Sequence, residues 1–140
     1  MIYFGGFRDY KRPWVPVSIY ERLEERVPGL RLFMVGDGPS RRAVEMTAHR
    51  NRRARIHFLG RLEDSQLAEA ISRAWLNIHT SVSEGWGLSI LEAAAAGTPT
   101  VAFAVPGVSE VIESGVNGLT VPDGDIGLRG GSGRARPLEP

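Results

Sequence analysis

No cysteine occurs in the 140 residues, which excludes disulfide bonds and thiolate metal sites and is typical of a reducing compartment. No apolar run is long enough to span a membrane, because the most apolar stretch, 88–105, is interrupted by Glu92, Gly97 and Pro99. No targeting segment precedes the first apolar residues, so we expect a cytoplasmic protein. The net charge of +1 gives no general attraction to nucleic acid, and we expect none as a partner.

The arginine cluster and the three histidines do not indicate nucleic-acid or metal binding. Arginines cluster between residues 41 and 55, but no aromatic side chains alternate with them, so the cluster is interpreted as a solvated helix face rather than a nucleic-acid surface. Contact of this face with an anionic membrane is the less favoured alternative. The histidines lack acidic partners and ligand spacing, so we predict no metal site from His49, His57 and His79.

Strand-like apolar runs alternate with helix-like segments along the chain. We predict strands at 2–4, 30–35, 56–59, 75–80, 100–103 and 119–121. We predict helices at 15–27, from a cap at Ser40 to about 53, from a cap at Asp64 or Ser65, and at 88–96, with a helical turn at 109–112. This alternation predicts an α/β fold with a doubly wound, Rossmann-like parallel sheet.

The length and composition predict one folded domain followed by a tail. The domain spans residues 1–125, and we expect Trp14, Phe58 and Trp75 in its core, whereas Trp86 is compatible with either core packing or ligand contact. Residues 126–140 are rich in Gly, Arg and Pro without hydrophobic periodicity, so they are predicted to be a disordered tail.

Two glutamates, Glu84 and Glu92, lie where the fourth predicted strand gives way to a helix. Gly85 and Gly87 fall in the turn between them, where backbone N–H groups at a helix N-terminus form a site for phosphate. Carboxylates beside such a site would repel phosphate unless they accept hydrogen bonds from hydroxyl groups, as sugars provide. The segment therefore predicts a site for a phosphorylated sugar. The alternative, two solvated positions on one helix, is disfavoured by the strand–turn–helix context.

Glycine turns follow the predicted strands and meet at one edge of the predicted sheet. Ligands of doubly wound sheets bind beyond the carboxyl ends of the strands. The turns that predict this edge as the binding edge contain Gly5 and Gly6, Gly36 and Gly38, Gly60, Gly85 and Gly87, and Gly107.

Several motifs together resemble the nucleotide-sugar-binding half of family 4 (group 1) retaining glycosyltransferases of the GT-B fold. They are Glu84-Gly85-Trp86-Gly87-Leu88 with Glu92, and the segments 93–101, 106–111 and 117–122. Segments 35–39 and 58–62 match the family's middle strands, so the resemblance covers roughly residues 1–125. It implies transfer of a hexosyl or mannosyl group from a UDP-, GDP- or ADP-sugar to an acceptor with retention, without metal or other cofactor.

The resemblance also implies roles for individual residues. Glu84 would hold hydroxyls of the donor sugar, and Glu92 would hold those of the ribose. Lys11, the only lysine of the chain, lies at the family's lysine position and would neutralise the departing diphosphate. The family's arginine position is held here by Gly6, and Arg8 is the expected substitute. The remaining donor-binding positions are Gly6, Gly60, Arg61, Gly85, Trp86, Gly87 and Leu88.

A GT-B enzyme has two such domains, so the resemblance implies a truncated chain without the N-terminal acceptor-binding domain and inactive by itself. Any peripheral membrane contact would come through that absent domain. Two alternatives stay open. One is a non-catalytic nucleotide-sugar-binding module that works with a partner chain, and the other is a GT-B sugar-nucleotide epimerase.

Overall fold

The computed structural model describes residues 1–51 and 54–126, so the predicted tail from 127 onwards lies outside the described residues. Its strands are β1 (Ile2–Phe4), β2 (Leu32–Val35), β3 (Ile56–Gly60), β4 (Asn77–His79), β5 (Thr100–Phe103) and β6 (Gly118–Val121). Its helices are α1 (Val15–Leu23), α2 (Arg41–Ala48), α3 (Asp64–Ser72) and α4 (Leu88–Ala95), with a short 3₁₀ helix at Asp9–Lys11. None of these helices is long and apolar enough to cross a membrane.

The strands form one parallel sheet in the order β3-β2-β1-β4-β5-β6, which confirms the predicted doubly wound α/β architecture. Chain order reverses between β1 and β4, whose contact pairs Ile2 with Asn77. In a doubly wound sheet this reversal opens a crevice at the carboxyl edge, because the loops after the two central strands leave in opposite directions. The loops after β1 and β4 therefore flank the expected ligand position.

Alternating side chains of β1 fill the core on both faces of the sheet. Tyr3 packs with Val17 of α1 and Val44 of α2 on one face. Ile2 and Phe4 pack on the other face with residues of α3 and α4. The helices thus cover both faces, as the right-handed crossovers of parallel strands require.

Several helix ends differ from prediction. Helix α1 ends at Leu23 and α2 at Ala48, both earlier than expected. The Ser40 hydroxyl donates to Asp9 Oδ1 at 2.6 Å instead of capping α2. Helix α3 is capped by Glu63 in a capping box with Gln66, one residue before the predicted cap. The helical turn predicted at 109–112 is present as an isolated turn, in which Ile112 N–H donates to the Val108 carbonyl at 3.1 Å.

Two of the three aromatic core predictions are wrong. Trp75 is 84% exposed because β4 begins two residues later, at Asn77, which leaves the indole outside the sheet. Trp14 is 40% exposed at the N-terminus of α1, where it precedes the buried first turn. Phe58 is half-buried and packs against the buried Phe7, with 6.3 Å between ring centroids.

Candidate functional site

A cavity of about 660 Å³ opens at the carboxyl edge of the sheet, between the loops that follow β1 and β4. We call it the edge cavity. Of the residues proposed from the sequence, those that line it are Gly6, Lys11, Arg61, Glu84, Gly85, Trp86, Gly87, Leu88 and Glu92. Asp37, His79, Ser81 and Ser89 also line it. The structure therefore brings most of the predicted site together at the predicted edge.

Two of the predicted site residues do not line the edge cavity. The Arg8 side chain is exposed and runs beside Gly6, with its Cγ 3.8 Å from the point that a Cβ on Gly6 would occupy. Gly60 has a φ of +70°, and its carbonyl accepts a hydrogen bond from Gly36 N–H at 2.8 Å. It thus joins the ends of β2 and β3 beside the cavity, and the neighbouring Arg61 reaches the cavity itself.

The loop after β1 is anchored to the loop after β4 by Arg12. This residue has a left-handed backbone with φ of 49°, which costs a non-glycine residue about 1–2 kcal/mol. Its guanidinium donates to the carbonyls of Thr80 at 2.7 Å and Ser81 at 3.1 Å, and it lies 4.7 Å from the Phe103 ring. The Thr80 hydroxyl in turn donates to the Lys11 carbonyl at 2.8 Å. These contacts fix the backbone that carries Lys11.

The backbone of Glu84 is fixed from the opposite side by the loop after β5. Glu84 N–H donates to the Pro106 carbonyl at 3.1 Å. Gly107, with φ of +82°, approaches so closely that a Cβ there would lie 1.7 Å from the Glu84 carbonyl oxygen. Only glycine allows this approach. Gly107, which the sequence predicts at this edge, therefore allows the loop after β5 to pack directly against the Glu84 backbone.

Three side chains meet one oxygen of the Glu84 carboxylate. Lys11 Nζ forms an ion pair with Oε1, the Ser81 hydroxyl donates to it at 2.6 Å, and His79 Nε2 lies 3.2 Å away. Burial alone would raise the pKa of the Glu84 carboxyl, but the hydrogen bonds from Lys11 and Ser81 and the nearby positive charge outweigh it and lower the pKa. Glu84 is therefore a fixed carboxylate beside the one lysine of the chain.

His79 is one of the site residues to which sequence analysis assigned no role. Burial lowers its pKa to about 4, the attraction of Glu84 offsets only part of this, and the charge of Lys11 lowers it further. Its Nδ1 lies 3.0 Å from the hydroxyl oxygen of Ser89. The signal in the sequence is a run of polar residues at the end of an apolar strand, because buried polar side chains require partners. That run is Asn77, His79, Thr80 and Ser81, all buried.

The N-terminus of α4 faces the same cavity. Gly87 precedes the helix with φ of +61°, and its carbonyl accepts from the N–H groups of Ile90 and Leu91. The N–H groups of Leu88 and Ser89 come before these bonds, as in the first turn of any helix, and both residues line the cavity. The positive end of the helix dipole is thus available to an anion there.

Two exposed side chains extend the cavity surface. Trp86 is 80% exposed, which excludes the core packing that was one of its two interpretations. Glu92 lies in the second turn of α4, is exposed, and lines the cavity with Glu84.

The arrangement can hold an anion beside hydroxyl groups. Lys11, Arg61 and the α4 N-terminus supply positive charge, while Glu84 and Glu92 supply acceptors for hydroxyls. No group of three or more His, Asp or Glu side chains with the spacing of metal ligands occurs within 1–51 and 54–126.

The chain is similar to known proteins over most of its length. The family described as "Glycosyl transferases group 1" matches residues 1–127. N-acetyl-alpha-D-glucosaminyl L-malate synthase of Bacillus anthracis is 31% identical over 126 residues, which are 89% of this chain and 32% of the relative. The chain thus spans about a third of the length of the curated relatives it matches.

Solved structures share the fold of the whole described domain. Alr3699/HepE of Anabaena in complex with UDP-glucose superposes with a TM-score of 0.73 at 28% identity, covering 88% of this chain and 34% of that one. The pneumococcal O-GlcNAc transferase GtfA in complex with UDP and GlcNAc gives a TM-score of 0.75 at 26% identity, covering 89% of this chain and 24% of that one.

Proposed function

The chain belongs to the glycosyl transferases group 1 family and has the Rossmann-like fold of a GT-B domain, and from this we propose that its edge cavity binds a nucleoside-diphosphate sugar. The observation that carries the proposal is the convergence of Lys11, Glu84 and the α4 N-terminus at the reversal of strand order. A cation and helix N–H groups suit a diphosphate, and a carboxylate suits the hydroxyls of a sugar.

We propose a position in the edge cavity for each part of the donor. We assign the diphosphate to Lys11 and the N–H groups at the start of α4, the donor sugar to Glu84, and the ribose hydroxyls to Glu92. Arg61 and the turn after β3 border the cavity on the side left for the nucleobase. Arg8 is too far along the loop surface to line the cavity, so a role for it at the diphosphate requires a movement of its side chain.

The whole enzyme would transfer the sugar to an acceptor hydroxyl with retention at the anomeric carbon. The bond between that carbon and the diphosphate breaks, and its electron pair leaves with the phosphate oxygen. The acceptor oxygen forms the new bond to the carbon, and the proton of the acceptor hydroxyl passes to the departing diphosphate. Negative charge that develops on the diphosphate is stabilised by Lys11 and the α4 N–H groups, which is why we propose a metal-independent reaction. Loss of one such fixed donor typically costs about 2.7–4 kcal/mol of barrier.

We infer that UDP is the first nucleotide to test, because two similar proteins were solved in complex with UDP-glucose and with UDP and GlcNAc. We also propose that the acceptor binds to a part of the protein outside these residues, because relatives are about three times longer. We propose a hexosyl group as the donor sugar, as the family resemblance implies.

Calorimetric titration of the chain with UDP, GDP, ADP and the corresponding glucose nucleotides tests the proposal. We expect binding of one nucleoside diphosphate in a 1:1 complex, unchanged by a saturating chelator. Binding that disappears with the chelator would refute the metal-independent site. Absence of binding by every nucleotide at millimolar concentration would refute the donor-site assignment.

A further inference from the structure

His79 is enclosed between two elements of the edge cavity. Its side chain is 7% exposed at the end of β4. Nδ1 lies 3.0 Å from the Ser89 hydroxyl oxygen at the start of α4, and Nε2 lies 3.2 Å from Glu84 Oε1. Nε2 is shielded from solvent and makes no well-aligned hydrogen bond within the described part of the chain. A buried ring nitrogen without an aligned partner is costly, so its partner matters.

The surroundings of the ring select one of its three protonation states. A proton on Nδ1 alone would direct the Nε2 lone pair at the Glu84 carboxylate, which is repulsive at 3.2 Å. The doubly protonated ring is disfavoured because burial and the charge of Lys11 lower its pKa to about 4. A proton on Nε2 places a donor toward Glu84, and it lets the Ser89 hydroxyl donate to Nδ1. The geometry therefore favours the Nε2–H tautomer.

Competition for Oε1 explains why Nε2–H is not aligned with it. Lys11 and Ser81 already donate to that oxygen. A diphosphate in the edge cavity would attract the Lys11 ammonium, whose side chain is 20% exposed and lines that cavity. Departure of Lys11 removes one donor from Oε1, and the buried Nε2–H is the nearest replacement.

We propose that His79 is a positioning residue for Glu84, whose carboxylate it holds through Nε2–H so that Oε2 faces the hydroxyls of the donor sugar. Ser89 fixes the orientation of the imidazole by donating to Nδ1, which couples the first turn of α4 to the carboxylate. The inference rests on the proposed role of Glu84 and assigns a specificity function to a side chain that itself contacts no substrate.

Substitutions that preserve one end of the ring separate this role from simple packing. The His79→Gln amide keeps a donor near Nε2, whereas the His79→Asn amide reaches only the position of Nδ1. The readout is the ratio of the Kd of UDP to the Kd of the UDP-sugar, measured by calorimetry. We expect this ratio to fall roughly tenfold in His79→Asn and by less than threefold in His79→Gln. The Kd of UDP itself should stay nearly unchanged in both variants.

The matched control is His49→Gln, because His49 is exposed at the end of α2 and outside the edge cavity. Thermal unfolding identifies any variant that fails to fold. Equal ratios in His79→Asn and in the unchanged protein would overturn the inference. If Glu84→Ala also leaves the ratio unchanged, the proposed function of Glu84 fails as well, so the two failures are distinguishable.

Imidazole ¹⁵N NMR tests the tautomer without any ligand. The chain has three histidines, so His79 is assigned by the signal lost in His79→Gln. We expect a protonated Nε2 and an unprotonated Nδ1 at pH 7, and a shift toward mixed tautomers in Ser89→Ala. A proton on Nδ1, or a doubly protonated ring at pH 7, would overturn the inference even if every variant folds.

Discussion

The ion pair between Lys11 and Glu84 makes the effects of their substitutions interdependent. Lys11 Nζ contacts Glu84 Oε1, and the two side chains are 20% and 12% exposed. A pair this shielded is worth more than the 0.2–1 kcal/mol of exposed pairs, so we take about 1.5 kcal/mol. A diphosphate must displace this pair before it gains the full contact with Lys11, for which we take about 3 kcal/mol.

These two energies predict three changes in UDP affinity. Lys11→Ala should weaken UDP binding by the difference between the two energies, about 1.5 kcal/mol or tenfold. Glu84→Gln should strengthen UDP binding about tenfold, because the Lys11 ammonium is then no longer paired with Glu84. The same substitution should weaken only the binding of the UDP-sugar. In the Glu84→Gln background, Lys11→Ala should cost the full contact, more than 100-fold.

Isothermal titration calorimetry of the four proteins without divalent metal measures this coupling, and added salt should reduce it. The matched control is Glu69→Gln, which removes the acid of the exposed Glu69–Arg73 pair, neither member of which lines the edge cavity, and should change neither ligand's affinity. Additive effects of the two substitutions, or equal weakening of UDP and UDP-sugar by Glu84→Gln, would refute the reasoning.

Three further predictions concern other parts of the domain. Glu92→Ala should lose about 1.5–3 kcal/mol of nucleotide affinity and abolish the preference for ribose over deoxyribose, compared by calorimetry. The pKa of His79 falls from 6.5 to about 4 on folding, so as the pH is lowered the unfolded chain binds a proton at a higher pH than the folded chain does. Stability should therefore decrease as pH falls from 6.5 to 4, by up to about 1.4 kcal/mol per pH unit, and His79→Gln should flatten this slope in urea titrations. Below pH 4.5, protonation of Glu84 adds a further loss. Gly107→Ala should destabilise more than Gly115→Ala, since both have φ near +82° but only Gly107 approaches Glu84; equal urea midpoints would contradict this.

The sequence predicted the parts of the fold that depend on periodicity. Apolar runs located the six strands of residues 1–51 and 54–126, and alternation with helices predicted the parallel sheet. Predictions about individual side chains were less successful, because tertiary contacts decide them. Trp75 is exposed although it adjoins an apolar run, since the strand starts only at Asn77. Serine often caps helices through its side chain, but the Ser40 hydroxyl donates a hydrogen bond to Asp9, which is distant in sequence.

Site residues that belong to a contiguous sequence motif were predicted, whereas contacts between residues distant in sequence were missed. The turn from Glu84 to Leu88 is contiguous, so its residues could be named together, and the family resemblance is confirmed by the matching family. The pairing of Lys11 with Glu84 joins residues 73 positions apart, and no local pattern reveals it. Arg12 anchors Thr80 and Ser81 from a left-handed conformation typical of glycine, a contact that only the assembled sheet explains.

The location of the donor site is the central claim, and the three tryptophan indole N–H signals test it most directly. Trp86 lines the edge cavity, whereas Trp75 lines a separate groove beside Arg31 and Arg73. In a ¹H–¹⁵N NMR titration with UDP-glucose, we predict saturable shifts of the Trp86 indole and of the Gly85 and Gly87 amides, with the Trp75 indole unchanged. Shifts of Trp75 with none at Trp86 and the two glycines would contradict the account.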